Sequence, residues 1–272
     1  MCFHPTHCVR KLMYWLGCAL LSTSCWSQST EIPPPGGGLR EIDLYVARNN
    51  LSTGYSNWSE EGVRGIYEIS NHQFAGELAN MNRFNESGIY AAVQDTVLLN
   101  ADWFASMALG GGDGAAYLPK YRIDGFIHRK FLEDRQLIGS FGLGYYRSPD
   151  SHRDDNASLG FTYYTSLPWV IQAQAKRTRS LPGDIVTHQY FVAATWGSYK
   201  NTLITGRHGW GREGYQSLGD ALSIARFDSH ETSLAIKHWI AHDWGFRASV
   251  EQYTNPYYHR NGIQISLFKD LQ

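Results

Sequence analysis

The residues able to do chemistry in this 272-residue chain fall mostly into one set: Glu41, Asp43, Arg64, Glu68, Glu77, Arg83, Arg122, Asp124, His128, Lys130, Lys176, Lys237, Arg247 and Glu251. Both signs occur, and each member sits on the polar side of a stretch in which polar and apolar residues alternate. Such a set can close on itself through internal ion pairs, or it can line a passage for a polar solute. Neither use needs a cofactor, and no catalytic motif stands out. His238 and His242 have the i, i+4 spacing of a helical metal site, but the flanking alternation is that of a strand. The run Gly110 to Gly114 lacks the Lys-Ser or Lys-Thr that completes a phosphate-binding loop. We therefore expect no catalytic, metal-ligating or cofactor-binding residues. An alternative reading, as a lipid-modifying hydrolase, would have to use His188 or His208, the latter followed downstream by Ser217.

The elements that position this set can be read from composition and period. Aromatics make up 14% of the chain and charged residues 18%, with 27 Gly against 9 Pro. Mean hydropathy is −0.37 in spite of the aromatics, so apolar residues are dispersed and no bilayer-spanning helix fits. Trp169, Ile171, Ala173 and Ala175 oppose Gln172, Gln174 and Lys176; Phe246, Ala248 and Val250 oppose Arg247, Ser249 and Glu251. A helix would scatter these onto every side, whereas a strand puts them on two faces. Strands are expected near 39–50, 59–70, 73–83, 88–100, 103–110, 119–131, 136–147, 155–166, 169–179, 184–197, 200–209, 231–241, 243–254 and 260–268, with a longer polar connection over 210–230 whose sequence is compatible both with a plug in the lumen and with continued strand. Tight connections alternate with longer ones, as in outer-membrane barrels with short periplasmic turns.

The expected fold class is therefore all-β, an antiparallel transmembrane β-barrel of about fourteen strands, with twelve or sixteen also compatible. Trp103, Trp169 and Trp244 follow tight turns, and Trp196 and Trp239 precede them. A row of indoles at one end suits a membrane-interface girdle, which a secreted carbohydrate-binding β-sandwich would have no reason to build. Asp95 is the exception, because it shares a phase with Ile89, Ala91, Val93 and Val97, and a β-bulge or register shift is expected there.

Arg10 and Lys11, the apolar stretch Leu12 to Leu21 and the small, polar residues to Gln28 have the order of a secretory signal peptide. The expected organisation is a signal peptide over 1–27, a Pro/Gly-rich tether over 28–38 and a barrel over 39–272. Cys2, Cys8, Cys18 and Cys25 all precede the expected cleavage, so the mature chain would hold no disulfide or thiolate site. Removing Arg10 and Lys11 from 24 basic residues leaves a net charge of −3, which gives no overall pull toward nucleic acid or anionic lipid. Trp58, Trp210, Tyr215, Tyr257 and Tyr258 fall in expected loops and could stack on sugar rings or anchor at the interface.

Tyr55-Ser56 and Asn57-Trp58, the Arg83-Phe84 pair, the run Phe141-Gly142-Leu143-Gly144-Tyr145 and the segment Tyr257-Tyr258-His259-Arg260-Asn261-Gly262-Ile263 resemble the YaiO family of outer-membrane β-barrels over roughly residues 39–268. The resemblance implies a bacterial outer-membrane location among membrane lipids and no established catalytic residues. It also implies occasional association with a surface glycan or its synthesis machinery. Assistance to surface-polysaccharide assembly or passage, or a narrow pore for polar solutes, are the roles expected on this reading.

Overall fold

The computed structural model describes residues 38–166, 168–217 and 223–271; the expected signal peptide and all of the tether but Gly38 lie outside the described residues. Fourteen strands follow one another: β1 (Gly38–Leu51), β2 (Trp58–Ile69), β3 (His72–Arg83), β4 (Glu86–Leu98), β5 (Trp103–Gly112), β6 (Tyr121–Phe131), β7 (Leu137–Arg147), β8 (Arg153–Tyr164), β9 (Trp169–Leu181), β10 (Ile185–Gly197), β11 (Thr202–Ser217), β12 (Ser223–Ala241), β13 (Trp244–Thr254) and β14 (His259–Asp270). Each pairs with its chain neighbours, and β1 pairs antiparallel with β14, closing a single barrel.

Alternation decides which face each side chain takes. In β1, Ile42, Leu44 and Val46 point outward and are exposed, while Asp43 and Tyr45 point inward and are buried. The same parity carries around the barrel through the registers, so an apolar belt faces outward and a polar face lines the interior. Inward glycines leave room for aromatic rings: a Cβ on Gly62 would meet the Tyr45 ring at 2.7 Å. The connection from β3 to β4 is a two-residue turn with Phe84 and Asn85 both at positive φ, 54° and 65°. Phe84 holds this unfavourable conformation because its ring packs edge-on against Trp58 and Tyr55.

Two expectations are corrected. The polar stretch 210–230 is mostly strand: β11 runs on to Ser217 and β12 starts at Ser223, paired through Trp210↔His230, Arg212↔Asp228 and Tyr215↔Ala225. Above the lipid the outward positions no longer need apolar residues, so the alternation that marks a membrane strand fades while the pairing continues. Asp95 lies on no bulge, since β4 pairs without a shift to both β3 and β5. It remains on the outer face and is 2.8 Å from Nδ1 of His72, which supplies the polar partner that the sequence pattern hid. Irregularities occur instead between Leu39 and Glu41 and between Trp239 and Ala241.

Closure leaves no strand edge, so folded protein should resist detergent and migrate differently in unheated and boiled samples on an SDS gel. Identical mobility in the two would show that β1 and β14 do not close.

Candidate functional site

The lumen is the place where this chain concentrates chemistry. The registers put all fourteen charged residues singled out above on the inner face, and most of them pair with one another. Glu41 accepts from Lys237 at 2.8 Å and from Arg247, which also pairs with Asp43; Ser266 donates to Asp43 at 3.2 Å. Arg64 pairs with Glu77 at 2.9 Å and lies 3.8 Å over the Tyr45 ring. The Tyr45 hydroxyl is 2.7 Å from Glu60 and 2.9 Å from Glu77. Arg83 reaches Glu60 and lies over Trp58, Glu68 pairs with Arg40, and Arg122 pairs with Asp124. Glu251 pairs with Arg260, which also lies over Trp58 and Tyr253. Each charge in these pairs thus meets an opposite charge, and several also meet a ring face, which is the condition for keeping them buried.

Three of the set are not part of these ion pairs. His128 is stacked on Phe104 at 4.3 Å with Ser140 at 2.8 Å, and the Lys130 ammonium is 5.7 Å from the same Phe104 ring. Lys176, half-buried on β9, has no hydrogen bond or ion pair among the described residues. Around it the inner wall of β7 to β10 is mostly hydroxyl and amide, with Ser140, Ser158, Thr162, Gln172, Gln174, Thr178 and Thr187, and the half-buried Asp154 on β8 is its carboxylate. The lumen therefore has two unlike walls, one dense in charges paired among themselves on β11–β14 and β1–β3, and one mostly of neutral polar groups with Lys176 and Asp154 among them.

Both ends are narrowed by apolar groups. At the turn end, Trp239 packs with Leu203 and Phe268, and Phe104 with Ile138 and Tyr164. At the loop end, residues 113–120 fold inward, burying Leu118 against Tyr45, Met81 and Tyr90, and the Tyr117 hydroxyl donates to the Met81 carbonyl at 2.7 Å. Burial pushes that hydroxyl up to about 12.

Trp103, Trp169, Trp196 and Trp244 point outward, with Trp169 directly opposite Trp196 and Arg129 5.3 Å over Trp103. Trp239 departs from the expected girdle. It is 5% exposed, faces the lumen, and its Nε1 donates to Asp270 at 2.9 Å. Its position two residues after Lys237 already put it in the inward phase, a sign that outweighs its closeness to a turn. Sequence reasoning also missed Glu60, Glu213, Glu231, Arg260 and Asp270 as interior groups, although Glu60 shares the phase of Arg64 and Arg260 that of Ser266.

The loop aromatics divide. Trp58 and Tyr258 are buried inside the mouth, while Trp210 and Tyr257 remain exposed. Tyr215 stacks on His152 at 3.5 Å and donates to Asp150 at 2.9 Å. His208 lies in mid-strand, 2.8 Å from Thr232, and Ser217 is nine residues farther along β11, about 30 Å away at strand rise, so the two do not meet.

The sequence profile described as the YaiO membrane beta barrel domain matches residues 39–216. The chain belongs to the YaiO family. No curated protein sequence matches it. Among solved structures it is similar to the CymD monoaromatic hydrocarbon channel, at 8% identity and TM-score 0.55, covering 88% of this chain and 89% of that one. It is also similar to a bacterial polysaccharide outer membrane secretin, at 10% identity and TM-score 0.53, covering 85% and 98%. An anion-selective porin from Comamonas acidovorans matches at 10% identity and TM-score 0.50, covering 87% and 100%. At such identities the likeness is one of fold. This YaiO-family chain is an integral outer-membrane barrel in a lipid environment, of the architecture that porins and channels use.

Two outcomes follow. Arg247→Ala takes the ion-pair partner from the buried Asp43 and leaves Glu41 with Lys237 alone, and should lower unfolding free energy in detergent by about 3 kcal/mol or more, read from urea titration. Partial burial disfavours charge on Asp150, but the His152 amide and ring and the Tyr215 hydroxyl outweigh it and hold its carboxyl at about 2. With the folded value below the ordinary 3.8, this loop's anchoring is intact above about pH 4 and is lost as pH falls toward 2. Amide exchange at His152 should speed up in that window, and Asp150→Asn should remove the dependence.

Proposed function

We propose that this outer-membrane barrel is a non-enzymatic, narrow conduit for small, uncharged polar solutes of sugar-like chemistry. The observation that carries the reading is the unequal lumen. Charges on one wall are consumed by each other and hold the barrel closed, while the facing wall offers amides and hydroxyls that bind a polyol weakly at several points. Conduction needs such binding, favourable enough to enter and weak enough to leave. Lys176 and Asp154 are the charges on that wall. The non-enzymatic part is supported by the separation of His208 from Ser217 and by the hydrogen bond that occupies His208. A role in surface-glycan passage uses the same wall chemistry and differs only in the length of the solute.

Planar bilayers containing purified protein should show small, steady unitary currents. Trp58→Ala, which removes a ring from the aromatic packing at the mouth, should raise them several-fold, and Lys176→Gln should shift ion selectivity toward cations. Absence of steady currents from both the unmutated protein and Trp58→Ala would overturn the conduit reading. Phospholipid hydrolysis that disappears in His188→Ala would favour the enzyme instead.

A further inference from the structure

The near-neutral charge of the chain conceals a local excess on its outer wall. Arg147 ends β7, Arg153 begins β8, and Arg177 and Arg179 lie near the end of β9; the registers place all four on the outward face. Lys120, exposed just before β6, donates its amide to the Arg147 carbonyl. Two carboxylates stand among these five cations: Asp184, which pairs with Arg179, and Asp155, registered opposite it. Arg147 and Arg153 are direct cross-strand partners, an arrangement of like charges that weakens a sheet when nothing lies between them. The side chains of Arg153 and Arg177 make no hydrogen bond or ion pair among the described residues, and Asp184 acts on Arg177 only at longer range. Elsewhere on this rim the outward groups are neutral, as Gln252 and Asn261 are, paired, as Arg212 is with Asp228, or single, as Arg48 is.

Height assigns the occupant. Arg177 is eight residues along β9 from Trp169, and strand rise at the usual barrel tilt puts it about 20 Å above the indole row, within about 5 Å of the outer edge of an apolar band about 25 Å tall. One outward rung beneath it on the same wall are Phe141, Leu159 and Ala175, level with it is Leu143, and one rung above lie Tyr145 and the Tyr121 ring stacked on it. We propose that the loop-end outer wall of β6 to β9 is a binding site for a phosphorylated glycolipid of the outer leaflet. Its phosphate oxygens would lie between Arg147, Arg153 and Arg177, and its acyl chains against the apolar residues below. Guanidinium groups bind phosphate through paired, charge-assisted hydrogen bonds, and a dianion between them removes the like-charge conflict. The site is independent of whether the lumen conducts.

The test uses the full chain folded in detergent, titrated with bis-phosphorylated lipid A and read as saturable retention and a rise in thermal midpoint. The double variant Arg153→Gln, Arg177→Gln should bind at least tenfold more weakly while keeping its heat-modifiable gel shift, and dephosphorylated lipid A should fail to bind the unmutated protein. Arg212→Gln, on the same rim but outside the patch, should bind normally. Equal binding of dephosphorylated lipid, or an unaffected double variant, would overturn the proposal. So would equal retention of phosphatidylglycerol vesicles, which would mean general attraction to anionic surfaces, or displacement of lipid A by millimolar inorganic phosphate, which would mean a small-anion site.

Discussion

Everything in this structure depends on the cost of an unpaired backbone amide in hydrocarbon. Lipid offers no donor or acceptor, so a strand that crosses it must find partners on both sides along its whole length. Fourteen strands in sequence satisfy this only when the last returns to the first, and the β1–β14 ladder from Glu41↔Asp270 to Leu51↔Arg260 does so. Once the sheet is closed, the period-2 geometry of a strand divides every segment between lipid and lumen. The outward face becomes an apolar belt, and the inward face must accommodate whatever is polar.

That division explains why the interior is built from charge. Glu41 with Lys237 and Arg247, Arg64 with Glu77, and Arg260 with Glu251 join strands that are neighbours or near neighbours around the ring. Such pairs contribute little net stability when compared with apolar packing, but each group would be costly if left alone. Tyr45, Trp58 and Phe268 fill the remaining space and supply ring faces to the same cations. The wall of β7 to β10 lacks this mutual saturation, and the asymmetry between the two walls is what gives the lumen a direction in which a solute could be held.

Most of the fold was legible because lipid imposes its alternation strongly. Wherever a strand lies within the apolar band, as from Trp169 to Ala175 or Phe246 to Val250, two opposed faces are written in the residue types. The signal failed where that pressure is absent or locally answered. The upper halves of β11 and β12 stand clear of lipid, so Arg212 and Asp228 can face outward and pair with each other, and the stretch resembles a loop in sequence. Asp95 is tolerated by a partner 23 residues earlier in the chain, His72, which no local pattern announces. Trp239 was misplaced because closeness to a turn was weighed above the phase of Lys237. The pairing of individual lumen charges was not legible at all, since it depends on registers between strands. The outer-wall arginines were hidden for a related reason: a net charge sums over the chain, whereas the sheet gathers Arg147, Arg153 and Arg177 into one patch.

The ion pairs at the β1 seam also have an implication for the order of events in time. Lys237 and Arg247 lie 196 and 206 residues along the chain from Glu41, whereas Arg64 and Glu77 are 13 apart within one hairpin. Contacts between distant parts of a chain form late, because the loop they close must first be brought together. Hairpins such as β2–β3 can therefore acquire their internal charges while the barrel is still an open, curved sheet. Glu41 and Asp43 gain their ion pairs with Lys237 and Arg247 only when the C-terminal strands arrive. The first strand thus carries a negative mark that the last strands neutralise, a built-in means of recognising the correct edge at which to stop.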